Sequence, residues 1–447
     1  MIIEIQNNFL PEKKYILGVL FNHYLGLEFQ IRLSESANFS IILDNGRKLV
    51  FPDLFFTFSK DVDSLYQLKN LPEEVHLIKN EFAPESDLVA LYGSDEFNKD
   101  KNITCGFDLV SSAFFMLTRW EEMISVKKDK HDRFPDEEAL AVKFGFYHRP
   151  IVNEYVEFIW NALCYLGFEG NRKPHVFEPI ITHDIDEMWR YATISRFLRA
   201  MAGDLIQRKS LTSLFATIKD FMQIHFQKKP DNYDTFQLLM QLSEEHHLKS
   251  RFYFIPGEIG ETDVRYNIHH SRVNDVIHEI VKRGHEVGIH TSYDSYDDFK
   301  KFSQEVDRIK QICSEIKGGR QHYLRLKIPD TFRYWEKEGL KYDSTLGFAF
   351  DAGFRAGTCF SFPIFDLVKR KQLQLLEKPV TVMEVALRKK YNHPGDFLEN
   401  MNHFIDVVKK YRGEFVLIWH NSSFNTWEWN DNWLSIYKQT VQKLSER

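Results

Sequence analysis

The strongest constraint on how this chain folds is a regular alternation that begins near residue 176. Strand-length apolar runs stand at 177–182, 251–255, 286–290, 321–325, 380–387 and 415–419. Helix-length amphipathic stretches separate most of them, at 235–247, 273–283, 297–316, 331–337 and 396–411. Strands that alternate with helices pair in parallel, because each helix carries the chain back to the starting edge of the sheet. Gly284 and Gly413 occupy the positions where two of these helices should end, as glycine takes the left-handed backbone of a C-cap without strain. The simplest architecture is a barrel-like α/β domain, whose reactive side chains gather at the C-terminal ends of the strands.

The first part of the chain has a different texture. A helix is expected at 14–25 and strands at 28–33, 39–43 and 48–52, the last two joined by the turn Asp44-Asn45-Gly46. Two further helices are expected at 111–124 and 150–166, the second with Pro at its start and Gly167 at its end. The polar segment 170–174 is the best domain boundary. The expectation is a smaller α+β domain over 1–175, with no recognisable chemical constellation, followed by the α/β barrel over 176–447.

A long segment at about 190–230 separates the first two strands of the second half, and it carries eight Lys/Arg against two Asp between 190 and 229. It reads either as a helical insertion packed on the barrel rim or as a basic amphipathic helix pair in peripheral contact with an anionic membrane. The net charge of −6 gives no reason to expect a nucleic-acid partner. The four cysteines form neither a CxxC nor a Cys/His metal spacing, and they read as free thiols in a reducing compartment. The N-terminus lacks the basic and apolar regions of a signal peptide, so a cytoplasmic location is expected.

Polar residues at the strand ends form a pattern. The first strand leads into Thr182-His-Asp-Ile-Asp186. In extended backbone Asp184 and Asp186 point the same way, and two adjacent carboxylates repel unless a proton or cation lies between them. The third strand carries His290 and leads to Asp294; the fourth holds Arg320, His322, Tyr323 and Arg325; Asp343 and Glu384 follow, and His420 ends the last strand. A single strand-end histidine is usually a core residue. Several acids and imidazoles at successive strand ends point instead to a metal-assisted site.

These motifs give residues 176–447 a resemblance to the polysaccharide deacetylases of the NodB-homology type, carbohydrate esterase family 4, and within them to a bacterial subgroup with an extra N-terminal domain. Thr182-His-Asp-Ile-Asp186 resembles the family's T-F-D-D, and Gly284-His-Glu-Val-Gly-Ile-His-Thr-Ser-Tyr-Asp294 its G-H-E-I-x-x-H-[ST]-x-x-H. Leu417-Ile-Trp-His420 stands for the last-strand L-x-x-H. The resemblance implies a distorted (β/α) barrel and hydrolysis of an N-acetyl group on a sugar or glycan precursor, aided by a divalent metal ion, zinc before others. It implies Asp184 as general base, His420 as general acid, Asp186 and His290 as ligands, and Arg320 as the cation that keeps Asp184 ionised. Asp343 would orient His420, and Tyr323 and Glu384 would contact substrate.

Two departures bear on the metal. Asp294 replaces the second histidine of the third-strand motif, and His322 stands at the proline position of the family's R-x-P-[YF]. Either could supply the third ligand. Two other function classes remain compatible with the sequence: a non-catalytic carbohydrate-binding or assembly protein with a degenerate site, and a glycoside hydrolase using Asp184 with Glu384, whose carboxyls would have to lie about 5–10 Å apart.

Overall fold

The computed structural model describes residues 1–227, 229–260, 263–424 and 432–446. It is a mixed α/β protein that divides into two compact units, neither continuous in sequence: Met1–Glu178, Tyr323–Thr381 and Val407–Phe415 in one, and Pro179–His322, Val382–Asp406 and Val416–Arg447 in the other.

The first unit holds a mixed six-stranded sheet in the order Gln30–Ser34, Ile2–Gln6, Asn38–Ile42, Lys48–Pro52, Ile103–Phe107, Gly93–Lys99. The expected hairpin is there: Asn38–Ile42 and Lys48–Pro52 pair antiparallel around Gly46, whose φ of 77° suits glycine. The helix expected at 14–25 starts earlier, at Leu10, and after Leu17 widens into a π-helical stretch at Gly18–Leu25. The expected helix at 111–124 is two, Leu109–Thr118 and Trp120–Ile124, because Arg119 takes a left-handed φ of 51° between them.

The second unit carries the strands that matter for function. They are β1 (Glu178–Ile185), β2 (Ser250–Phe254), β3 (Glu286–Thr291), β4 (Gly318–Gln321), β5 (Val382–Met383) and β6 (Glu414–Ile418). Their spatial order is β4-β3-β2-β1-β6-β5, with β1–β2, β2–β3, β3–β4 and β5–β6 all parallel. The crossovers supply helices α1 (Phe236–Glu245), α2 (Ser271–Lys282) and α3 (Phe299–Ile312). Val273, Ile277 and Ile280 recur on one face of α2 and are fully buried, which is the amphipathic spacing that marks it as a sheet-covering helix. Gly284 caps α2 with a φ of 78°, as expected. At Gly413 the left-handed residue is instead Arg412, and the glycine is there for space: a Cβ on Gly413 would lie 2.3 Å from Cys359 Sγ.

Two expected strands are corrected. The strand at 321–325 ends at Gln321, and His322–Leu324 form a tight 3-10 turn with Tyr323 and Leu324 at positive φ. The strand at 380–387 shrinks to Val382–Met383, because Glu384–Lys390 is helical; Glu-Val-Ala-Leu-Arg-Lys-Lys is a run dominated by good helix formers.

Candidate metal centre

The site grows out of the alternation of β1. Thr182 and Asp184 lie on one face, with Asp186 just beyond the strand end, and His183 and Ile185 lie on the other. His183 is a buried structural residue: its Nδ1 meets the Trp419 carbonyl at 2.7 Å and its Nε2 meets Ser250 Oγ at 3.2 Å. Burial lowers its pKa to about 4, so it stays neutral.

Parallel register brings His290 of β3 opposite Arg320 of β4. Gly319 makes this close pairing possible, since a Cβ there would lie 1.7 Å from the Ile289 carbonyl oxygen. Arg320 reaches across to β1, donating to Asp184 Oδ1 at 2.6 Å and to Thr182 Oγ1 at 3.0 Å. Burial opposes ionisation of Asp184, but the guanidinium of Arg320, with His290 and His420 nearby, outweighs it and holds the carboxyl below its ordinary range.

Asp186, His290 and His322 converge, with one ligand atom from each within 4.8 Å of the others. Asp186 Oδ1 lies 3.4 Å from His290 Nε2 and 3.4 Å from His322 Nε2. With metal–ligand bonds of about 2.1 Å, a tetrahedral ion separates its ligands by about 3.4 Å. Asp186 Oδ1 is buried and accepts no hydrogen bond, an arrangement that costs free energy unless a cation sits against it. One carboxylate and two imidazoles are a donor set for zinc and similar divalent ions. The residues fit the group.

The imidazoles are oriented from behind. His290 Nδ1 lies 3.0 Å from the Arg320 carbonyl, which makes Nδ1 the donor and frees Nε2 to be a ligand. His322 Nδ1 bonds the carboxylate of Asp263, which also accepts from the Tyr293 amide at 2.7 Å. Burial lowers the pKa of His322, but Asp186 and Asp263 overcome it and raise the imidazole to about 9 in the ion-free site.

His420 faces the same centre, with Nε2 3.8 Å from Asp186 Oδ2. Its Nδ1 meets Glu384 Oε1 at 2.7 Å, and that oxygen also accepts from the His420 amide at 2.7 Å and from Ser423 Oγ at 2.7 Å. Burial is again overcome, here by Glu384 first, and His420 is raised to about 10.

The residues expected from sequence are therefore distributed as follows. Asp184, Asp186, His290, Arg320, His322 and His420 come together. Asp294 does not join them: its side chain is half exposed and its Oδ2 lies 3.8 Å from Lys301 Nζ. The carboxylate that meets His420 Nδ1 is that of Glu384, which is fully buried, and not that of Asp343. Asp343 belongs to the other unit, where Oδ1 accepts from Thr345 Oγ1 at 2.6 Å. Tyr323 also lies there, its ring 4.6 Å from that of His131. Sequence reasoning missed Asp263, which sits in a loop 59 residues before His322 with no motif around it.

Residues 1–167 match a family described as "Family of unknown function (DUF7033)". No curated protein matches. The structural neighbours are carbohydrate deacetylases. One is a provisionally assigned polysaccharide deacetylase from Mycobacterium smegmatis, with 12% identity and a TM-score of 0.39 over 61% of this chain and 85% of that one. Another is the chitin deacetylase of the fungal pathogen Colletotrichum lindemuthianum, with 13% identity and a TM-score of 0.28 over 49% of this chain and 80% of that one. At these scores the superpositions add nothing to the argument from the residues. No helix among the described residues is long and apolar enough to cross a membrane.

Proposed function

We propose that this protein is a metal-dependent carbohydrate deacetylase, hydrolysing the N-acetyl group of a sugar or glycan precursor. The observation that carries the reading is the Asp186–His290–His322 cluster with a buried, bondless carboxylate oxygen at its centre, flanked by an ionised acid on one side and a protonated imidazole on the other. Asp186, His290 and His322 would hold a divalent ion, zinc by its preference for this donor set. When bound, such an ion supplies Lewis acidity, polarising the amide carbonyl and bringing the pKa of water toward about 7.

Asp184 then takes the proton of the attacking water. Its low basicity is set by Arg320, which keeps it ionised and fixed in direction through a bond at 2.6 Å. His420 gives its proton to the departing sugar nitrogen, so that the C–N bond breaks to acetate and a free amine. Glu384 holds the proton on His420 and aims Nε2 into the site. A glycosidic mechanism would need a second carboxyl free to act on the sugar, and Glu384 is instead committed to three hydrogen bonds through one oxygen.

The test is release of acetate from N-acetylglucosamine oligomers and from nucleotide-linked N-acetyl sugars by zinc-loaded protein. Asp184→Asn and His420→Ala should each lower the rate by about 10²–10⁴-fold with metal content unchanged. Full activity in either variant overturns the assigned roles.

A further inference from the structure

The insertion between β1 and β2 folds as two helices, α4 (Ile194–Ile206) and α5 (Leu211–Phe226), joined by the four residues 207–210. So short a connection makes them antiparallel neighbours. Their inner seam bears this out: the rings of Phe197 and Phe221 stack at 3.9 Å, and Thr217 Oγ1 donates to Asp204 Oδ2 at 2.7 Å further along.

What the hairpin leaves outside is unusual. On α4, Ile194, Leu198 and Leu205 are exposed at spacings of four and seven residues. On α5, Leu211, Phe215, Met222 and Phe226 repeat the pattern. These side chains are 48–71% exposed. At 3.6 residues per turn each set is one narrow stripe, lying about a quarter to a third of a turn round from the inner seam in the direction of chain advance. Because the helices run in opposite directions, that common offset turns both stripes to the same side of the hairpin. Scattered exposed apolar residues need no explanation, but a two-helix face built of them does.

The charge around this face has one sign. Arg208 and Lys209 stand at the hairpin tip, and Lys219 and Lys229 along the second helix and just past it, all exposed. The segment's two aspartates are turned inward: Asp204 is fully buried and pairs with Arg208 at 2.7 Å, and Asp220 accepts from Asn232 at 2.8 Å.

We propose that this hairpin docks the protein on an anionic phospholipid surface, lying in the interface with the two apolar stripes among the upper acyl chains and the cations at the phosphates. The helices, of 13 and 16 residues, are too short and too one-sided to cross the bilayer. A second copy of the chain is a poorer occupant, since it would set two positive faces against each other. The docking is independent of the chemistry proposed above.

The experiment is flotation of the full-length protein with vesicles of phosphatidylcholine alone or mixed with phosphatidylglycerol, at low and high salt. Wild type should float with the mixed vesicles and largely dissociate in high salt. F215E/F226E should weaken partitioning by at least about tenfold, and K209E/K219E should remove the preference for the anionic lipid. All four positions are exposed, so thermal melting should be unchanged; if the first pair disturbs folding, the second decides. Protein that stays in the soluble fraction with the mixed vesicles overturns the proposal, as does a dimer in sedimentation equilibrium that F215E/F226E dissociates.

Discussion

The two units bury charge in opposite ways. In the first, Glu122 is enclosed by two guanidiniums: Arg355 grips it with both branches, at 3.0 and 2.8 Å, and Arg119 Nε adds a third bond at 2.8 Å. Burial would raise the Glu122 carboxyl, yet Arg355 and Arg119 together hold it below its ordinary range. In the second, Asp186 is 34% exposed but its Oδ1 is buried, and the carboxyl is likewise held ionised, against desolvation, by His322 and His290. The difference is geometric. Glu122 receives hydrogen bonds from its cations, whereas Asp186 Oδ1 receives none and its imidazoles stop 3.4 Å away. A closed network stabilises a fold. One that leaves a shared gap of ion size has the geometry to hold a cation.

The sharpest way to break this contrast is to neutralise each acid. Asp186→Asn should abolish stoichiometric metal by elemental analysis and lower deacetylation by at least about 10³-fold. It should lower the denaturant midpoint of the ion-free protein less than Glu122→Gln does, since His322 and His420 can release their protons when the carboxylate is gone whereas guanidiniums cannot. Glu122→Gln should do the reverse, leaving metal content intact and costing about 3–5 kcal/mol of stability, because two buried guanidiniums lose the carboxylate they share and keep only Glu121 and Asp136 between them. If both variants behave alike in denaturant, the distinction between the two networks fails.

Much of the second network can be read from sequence, and the reason is β-periodicity. Once the strand at 177–182 is carried on in extended backbone, Asp184 and Asp186 share a face; the pairing of His290 with Arg320 is a matter of strand register, which alternation does not fix. What the sequence hides depends on local backbone or long-range loops. The turn that aims His322 requires left-handed Tyr323 and Leu324, conformations neither residue type favours. Glu384 reads as part of a strand because it lies within the mostly apolar run 380–387, yet it opens a helix, and that turn puts its carboxylate against His420. The closed network around Glu122 is invisible in the sequence, as Arg355 lies 233 residues away in a loop.

A smaller effect probes the support behind the ligands. His322 is raised to about 9 by Asp186 and Asp263, so below that pH an incoming ion must expel its proton. Apparent metal affinity should therefore rise by about tenfold per pH unit between neutrality and about 9, then level off. The sign follows from the raised pKa: the proton is bound below it and competes with the ion, and is absent above it. Asp263→Asn should lower affinity by about 10–100-fold and move the plateau to lower pH, because one of the two carboxylates that hold the proton is gone. An unshifted plateau means that Asp263 is not what positions His322.

The smallest effect concerns the residue that sequence reasoning offered as an alternative ligand. A 3-10 turn does begin directly after Asp294, at Ser295–Asp297, which is the condition under which its carboxylate could have turned toward His290. The carboxylate instead faces Lys301 at 3.8 Å, and half of it is in water. An exposed pair of this kind is worth about 0–1 kcal/mol. Asp294→Asn should accordingly change metal affinity and turnover by less than about threefold, whereas His322→Asn should lose the metal, measured side by side by zinc titration with a competing chelator. The reverse ranking would move the third ligand from the turn after β4 to the turn after β3, and with it the ion from the pocket floored by Asp263 to the rim beside Lys301.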